Sequence, residues 1–181
     1  MTEPAGLKNG TSILRNGLTN RIWRVATLAI LILGTSCAPS GPVIKVELSV
    51  SSIQNADTTL VVTKVENITN LVAYEVHLSF EPNMLEVMEL NDGGFIKPDF
   101  VIQNTFDNAA GTIDYAVAQI NHPPVNGSGT LFEIVFRAKA SGQSPIRFRE
   151  TQAAPAGVLL SDSNGVAIQV SLIDGEVNVS D

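Results

Sequence analysis

From Val43 onward the chain alternates apolar and polar side chains in short runs, each closed by a cluster of turn residues. Successive side chains of an extended strand point to opposite faces, so a period of two marks a sheet with one face in a core. The pattern predicts strands over 43–50, with Val46, Leu48 and Val50 among the apolar positions, and over 59–65, with Val61, Thr63 and Val65 inward. A third over 71–80 places Tyr74, Val76, Leu78 and Phe80 on one face and Ala73, Glu75, His77 and Ser79 on the other. Further strands are predicted over 84–90, 112–119, 130–140, 145–148, 166–171 and 175–179. Turns are marked by Glu81-Pro82-Asn83, Asn91-Asp92-Gly93-Gly94, Asn126-Gly127-Ser128-Gly129 and Ser163-Asn164-Gly165. No stretch sustains the 3.6-residue apolar period of a helix. Short strands at regular spacing predict an all-β fold, an antiparallel sandwich or barrel.

The first 37 residues follow a different rule. Arg21 and Arg24 flank an apolar run of about ten residues beginning at Val25, and Thr35-Ser36-Cys37 follows. A basic flank, a short apolar run and small residues are the layout of an export signal. The run falls short of the ~20 residues a membrane-spanning helix needs. Cys37 stands where a bacterial lipoprotein signal places its lipid-bearing cysteine, although Gly34 occupies the position where Leu is usual. The expectation is a signal segment over 1–37, a linker over 38–42 and one domain over 43–181, exported and held at the membrane surface by a lipid on Cys37. Five linker residues would keep the domain within ~20 Å of the bilayer.

Charge narrows the partners. Residues 1–37 carry about +3, whereas the remainder has seven basic and seventeen acidic side chains, a net −10. So acidic a domain repels phosphate backbones, which argues against nucleic acid. The single cysteine leaves no intramolecular disulfide, so the core alone must hold the domain together, and some 140 residues suffice for that.

Three segments, in order and spacing, resemble the cohesin family, the modules with which bacteria capture dockerin-bearing proteins. The first runs from Val65-Glu-Asn-Ile-Thr-Asn-Leu71 through Tyr74-Glu-Val-His-Leu-Ser-Phe-Glu-Pro82 to Leu85-Glu-Val87. The second is Gly129-Thr-Leu-Phe-Glu-Ile-Val-Phe-Arg-Ala-Lys139, and the third is the terminal Ile173-Asp-Gly-Glu-Val-Asn-Val179. The resemblance implies a nine-stranded jelly-roll sandwich that binds, through one flat sheet face, a small helical partner loaded with calcium. The metal then belongs to the dockerin, and this chain needs no cofactor of its own. By the same resemblance Ala73 and Glu75 fall where family members carry an Asn-x-Asp pair that contributes to the face. Glu75 keeps an acidic acceptor, Ala73 loses the amide, and Glu81 replaces the usual Asp of the turn.

The expected partner-binding set is therefore Ala73, Glu75, His77 and Ser79, with Glu75 and His77 as the leading contact pair. A carboxylate there would accept charge-assisted hydrogen bonds from a docking helix. The competing reading is an ordinary solvated sandwich face. Asp162-Ser-Asn-Gly165 has the look of a calcium loop, but Val166-Ala-Ile-Gln-Val170 supplies no further oxygen ligands, so it reads as a hairpin turn. Catalysis has little to build on: two histidines, no free cysteine beyond Cys37, and neither a nucleophile elbow nor a histidine-rich metal motif. The expectation is a protein that is not an enzyme. A carbohydrate-binding module of related sandwich fold, with polysaccharide as ligand, is the main alternative, and a structural surface adhesin is another. The glycan reading wants exposed aromatic rings, yet Trp23 lies in the signal segment and Tyr74 alternates with core residues.

Overall fold

The computed structural model describes residues 41–50 and 52–181. Cys37, the signal segment and most of the linker lie outside the described residues. Along the chain run β1 (Val43–Leu48), β2 (Ser52–Gln54), β3 (Thr58–Ser79), β4 (Leu85–Asp92), β5 (Phe100–Asp107) and β6 (Thr112–Ala118). β7 (Val125–Ala138), β8 (Gly142–Phe148), β9 (Val158–Asp162), β10 (Ser171–Ile173) and β11 (Gly175–Ser180) complete the set. The described residues contain no helix, as the two-residue periodicity requires.

The 22-residue β3 organises the fold by taking part in two ladders. Its first half pairs with β1 on one edge and β7 on the other, with β10 beyond β1 and β4 beyond β7. From Leu71 onward it pairs with β6 and β9, and β5 lies beyond β6. The change of partners occurs at Asn67 (φ 56°) and Asn70 (φ 63°), where the β3–β7 register shifts twice. Asparagine is among the few side chains that enter the left-handed region readily, so these two residues turn the strand without ending it. The Ser128 hydroxyl accepts the Asn67 amide hydrogen at 3.1 Å, and the Asn126 side-chain oxygen accepts that of Asn70 at 2.9 Å. A short ladder of β2, β11 and β8 joins β3 at Leu78 and Ser79. Pairing is antiparallel except for β1–β10 and β2–β11.

The apolar sides of the two main ladders face each other across one core. Tyr115 of β6 stacks on Phe132 of β7 with centroids 4.6 Å apart, and Tyr74 of β3 stacks on Tyr115 at 6.1 Å. The Tyr74 hydroxyl donates to the Leu131 carbonyl of the opposite ladder at 2.6 Å, which satisfies the one polar atom this ring buries. Burial, with the nearby Asp92 carboxylate adding to it, pushes the Tyr115 hydroxyl up to about 12. Val61, Thr63, Val65, Val76, Leu78 and Phe80 are buried, as their alternation predicted.

Among the described residues eleven strands stand where nine were expected: the three-residue β2 and β10 and the exposed β5 are added, and two predicted strands merge into β3. The strands predicted at 59–65 and 71–80 are one bent strand, because the ladder continues through Asn67 and Asn70. The alternation predicts no strand where β5 lies, because seven of its eight residues are exposed and it has no buried face to mark it. β9 replaces the strand predicted over 166–171: Val158, Leu159 and Leu160 pair with β3, and 166–168 only follow β9 through an isolated bridge from Ser161 to Ala167.

Candidate docking face

The second ladder, in the order β9–β3–β6–β5, turns one side to the core and the other outward. Alternation puts Ala73, Glu75, His77 and Ser79 of β3 on the outer side, as expected. Register sets Ala118, Ala116, Asp114 and Thr112 of β6 directly opposite them. β9 adds Ser161 beside Ala73 and Leu159 beside Glu75, and β5 adds Phe100, Gln103, Thr105 and Asp107. Between Val101 and Gln103 a bulge pushes Ile102 out of register, leaving it 66% exposed. An extra residue in one strand re-aims its side chain in this way.

The polar half of the face is a closed cluster. His77 is only 4% exposed although it lies on the outer side. Its Nε2 is 2.6 Å from a Glu75 carboxylate oxygen, and its Nδ1 is 2.5 Å from Asp114 Oδ1. Arg149, just past β8, donates from Nη2 to the same Asp114 oxygen. Carboxylates accept and cannot donate, so both ring contacts are hydrogen bonds only when each ring nitrogen carries a hydrogen. The backbone reinforces the arrangement: the His77 amide donates to the Gly157 carbonyl at 2.8 Å, and the Arg149 amide donates to the His77 carbonyl at 2.9 Å. Gly157 has φ +81°, and a Cβ there would lie 2.8 Å from the Arg149 nitrogen, so only glycine lets these strands approach so closely.

The apolar half is open. Ala73 and Ala116 floor a depression of about 150 Å³, with Leu159 on one wall, Ile102 on the other, and Glu75 and Ser161 at its rim. Leu159 is 43% exposed. Small side chains at paired positions leave the floor low, and the larger side chains of the outer strands stand above it.

Of the four residues singled out from the sequence, Ala73 and Glu75 border the depression, while His77 is enclosed with both nitrogens engaged. Ser79 lies at the other end, its hydroxyl directed at the Arg147 carbonyl at 3.5 Å. Glu75 and His77, the expected contact pair, are hydrogen-bonded to each other. Sequence reasoning missed Asp114, Arg149, Ile102, Leu159 and Ala116. Asp114 was recoverable as an outward position of the strand predicted at 112–119, but Arg149 carries no local signal of its partner 35 residues away.

Other candidates resolve into structure. Asp162 Oδ1 accepts the amide hydrogens of Val166 and Asn164, and Oδ2 accepts side-chain hydrogens from Asn70 and Asn164. These bonds, that from Val166 foremost, hold its carboxyl below the usual range. The loop is a side-chain-capped turn. Among the described residues no three His, Cys, Asp or Glu side chains gather as a metal site. His122 lies 3.9 Å from Asp99, outside the His77 cluster. Both tyrosines are buried, and the exposed Phe100 and Phe106 face opposite sides of β5, since one pairs with outward Ala118 and the other with core Ile113. They form no common platform.

The Cohesin domain family model matches residues 30–179. Cell surface glycoprotein 1 of Acetivibrio thermocellus is 27% identical in a match that covers 64% of this chain and 6% of that much longer protein. The second type II cohesin module of the ScaA scaffoldin of Acetivibrio cellulolyticus superposes with a TM-score of 0.68 at 17% identity, over 80% of this chain and all of that one. A type II cohesin–X-dockerin complex from the same organism gives 0.65 at 17% identity, over 77% of this chain and 99% of the other.

Proposed function

The chain belongs to the Cohesin domain family, and from that premise we propose that it is a non-catalytic docking module that holds a calcium-loaded dockerin against the outer face of β9–β3–β6–β5. The observation that carries the reading is the apolar depression between Ile102 and Leu159, beside a polar cluster whose charges oppose one another. Isolated exposed apolar residues are ordinary, whereas two walls over an alanine floor form a shaped surface. The relative of known name is a cell-surface protein, which fits an exported module. Attachment through a lipid on Cys37 is the finer part of the proposal. Polysaccharide binding is the weaker alternative, because the exposed phenylalanines share no plane on which a sugar ring could rest.

Passing the source organism's secreted proteins over the immobilised full chain in calcium, and then in chelator, tests the reading. Proteins carrying paired calcium-loop repeats are expected in the chelator eluate from the wild-type chain, and an Ile102→Asp column should lose them. Retention of oligosaccharides and of no such protein would favour the glycan reading instead.

A further inference from the structure

The depression on the docking face does not end at β9. Leu159 forms one wall of it and also lines a second groove of about 250 Å³ on the flank of the domain. That groove is bordered by Pro155, Ala156, Ala167, Ile168 and Val170, with the polar Gln169 among them, so its surface is mixed but mainly apolar. It exists because residues 166–168 run beside β9 without forming a full ladder: the Asp162 amide donates to the Val166 carbonyl and the Ile168 amide to the Leu160 carbonyl. The two segments are hydrogen-bonded from Leu160 to Val166, and the groove opens beyond that pairing, where 169–170 continue outside any strand. The molecule thus presents two apolar hollows separated by a single leucine ridge.

We infer that the partner helix straddles Leu159 and inserts two apolar side chains one helical turn apart, one into each hollow. The inference rests on the docking reading above and specifies what the docked helix must carry. Side chains three or four residues apart on a helix lie on one face with Cβ atoms about 5–6 Å apart, a gap that can receive one side chain of the facing element. The polar alternative is poor on this face: His77 is enclosed, the Glu75 oxygen nearest it is engaged, and Asp114 is shared between His77 and Arg149. A helix offering serine, threonine or lysine alone could pair with the partnerless Gln103 Oε1 but would leave both hollows unfilled. The occupant is therefore an amphipathic helix whose contact stripe contains a pair of Leu, Ile, Val, Met or Phe at i and i+3 or i+4.

A display library on a calcium-loaded dockerin scaffold, randomised along the exposed helix faces, is the probe. It is selected on the full chain captured in mild detergent, with folding verified by circular dichroism. The expected result is enrichment of apolar pairs at i, i+3 or i, i+4. Binders so selected should lose at least tenfold in affinity to Ala167→Arg, which blocks the flank groove, and likewise to Ile102→Asp, which spoils the face. Binders with polar side chains at those positions would overturn the inference and leave docking intact. So would binders sensitive to Ile102→Asp and indifferent to Ala167→Arg, since contact would then stop at the ridge. Failure to select any binder on the folded chain would overturn the docking reading itself, and the inference with it.

Discussion

His77 links two strands of the outer face, joining Glu75 on its own strand to Asp114 on the next, with Arg149 on the far side of Asp114. Removing the ring strips the Glu75 carboxylate of its partner and leaves Asp114 with Arg149 alone. His77→Leu is therefore expected to lower stability by about 1–3 kcal/mol, the usual effect of stranding partly buried acceptors, and urea unfolding measures it. An unchanged midpoint would mean that water replaces the ring at no loss. A second residue, Asp99, makes a prediction in pH. Its carboxylate accepts the amide hydrogens of Ile120 at 2.7 Å and Asn121 at 2.8 Å and the Asn121 side-chain amide at 3.0 Å. These bonds, the Asn121 backbone bond foremost, lower its pKa from 3.8 to about 2. A carboxyl more acidic in the folded chain than in the unfolded one favours folding above the unfolded value, and the contribution is lost as pH falls through the folded one. The amide resonances of Ile120 and Asn121 should accordingly stay constant down to about pH 4 and shift with a midpoint near 2, where a midpoint near 4 would contradict the bonding.

At the scale of elements, the bend in β3 decides where the face proposed for docking lies, because it hands one strand from the first ladder to the second. Asn67 is exposed and left-handed, so its substitution probes backbone conformation with little side-chain packing involved. Asn67→Val places a β-branched residue at φ 56° and should destabilise by about 1–3 kcal/mol, whereas Asn67→Gly should remain within about 1 kcal/mol of the wild type in chemical denaturation. Equal losses in both variants would assign the effect to the side chain instead. The same stretch shows what alternation can and cannot reveal. It placed Tyr74, Val76, Leu78 and Phe80 inward and Ala73, Glu75, His77 and Ser79 outward, because burial on one side leaves a period of two. It predicted separate strands over 59–65 and 71–80 and did not show that the ladder passes through Asn67-Ile-Thr-Asn70. Nor did it reveal β5, whose residues are exposed on both sides. The walls of the docking depression were hidden for that reason: Ile102 stands on a bulge in an unburied strand, and Leu159 sits in a short apolar run with no alternation to orient it. The floor was half visible, because Ala73 was placed outward, but its partner Ala116 follows only from strand register.

At the scale of the whole molecule, the position of β1 bears on how a tethered domain would present its face. β1 enters the first ladder at Val43, beside β10, and the docking face is the outer side of the second ladder, across the core. A chain held through the residues before β1 is thus held at the layer opposite the one proposed to bind. Anchoring and docking then use separate surfaces and should be separable by mutation. If Cys37 bears the lipid, Cys37→Ser will move the protein from the membrane fraction to the soluble fraction or the medium while leaving its affinity for a captured dockerin within about twofold, below the 1.4 kcal/mol that a tenfold change represents. Ile102→Asp should do the reverse, keeping the chain at the membrane and abolishing capture. Fractionation with immunoblotting reads the first effect and calorimetric titration the second. A Cys37→Ser chain that stays with the membrane would reassign retention to the apolar run that precedes the cysteine, and the separation of the two surfaces could then be tested by deleting that run instead.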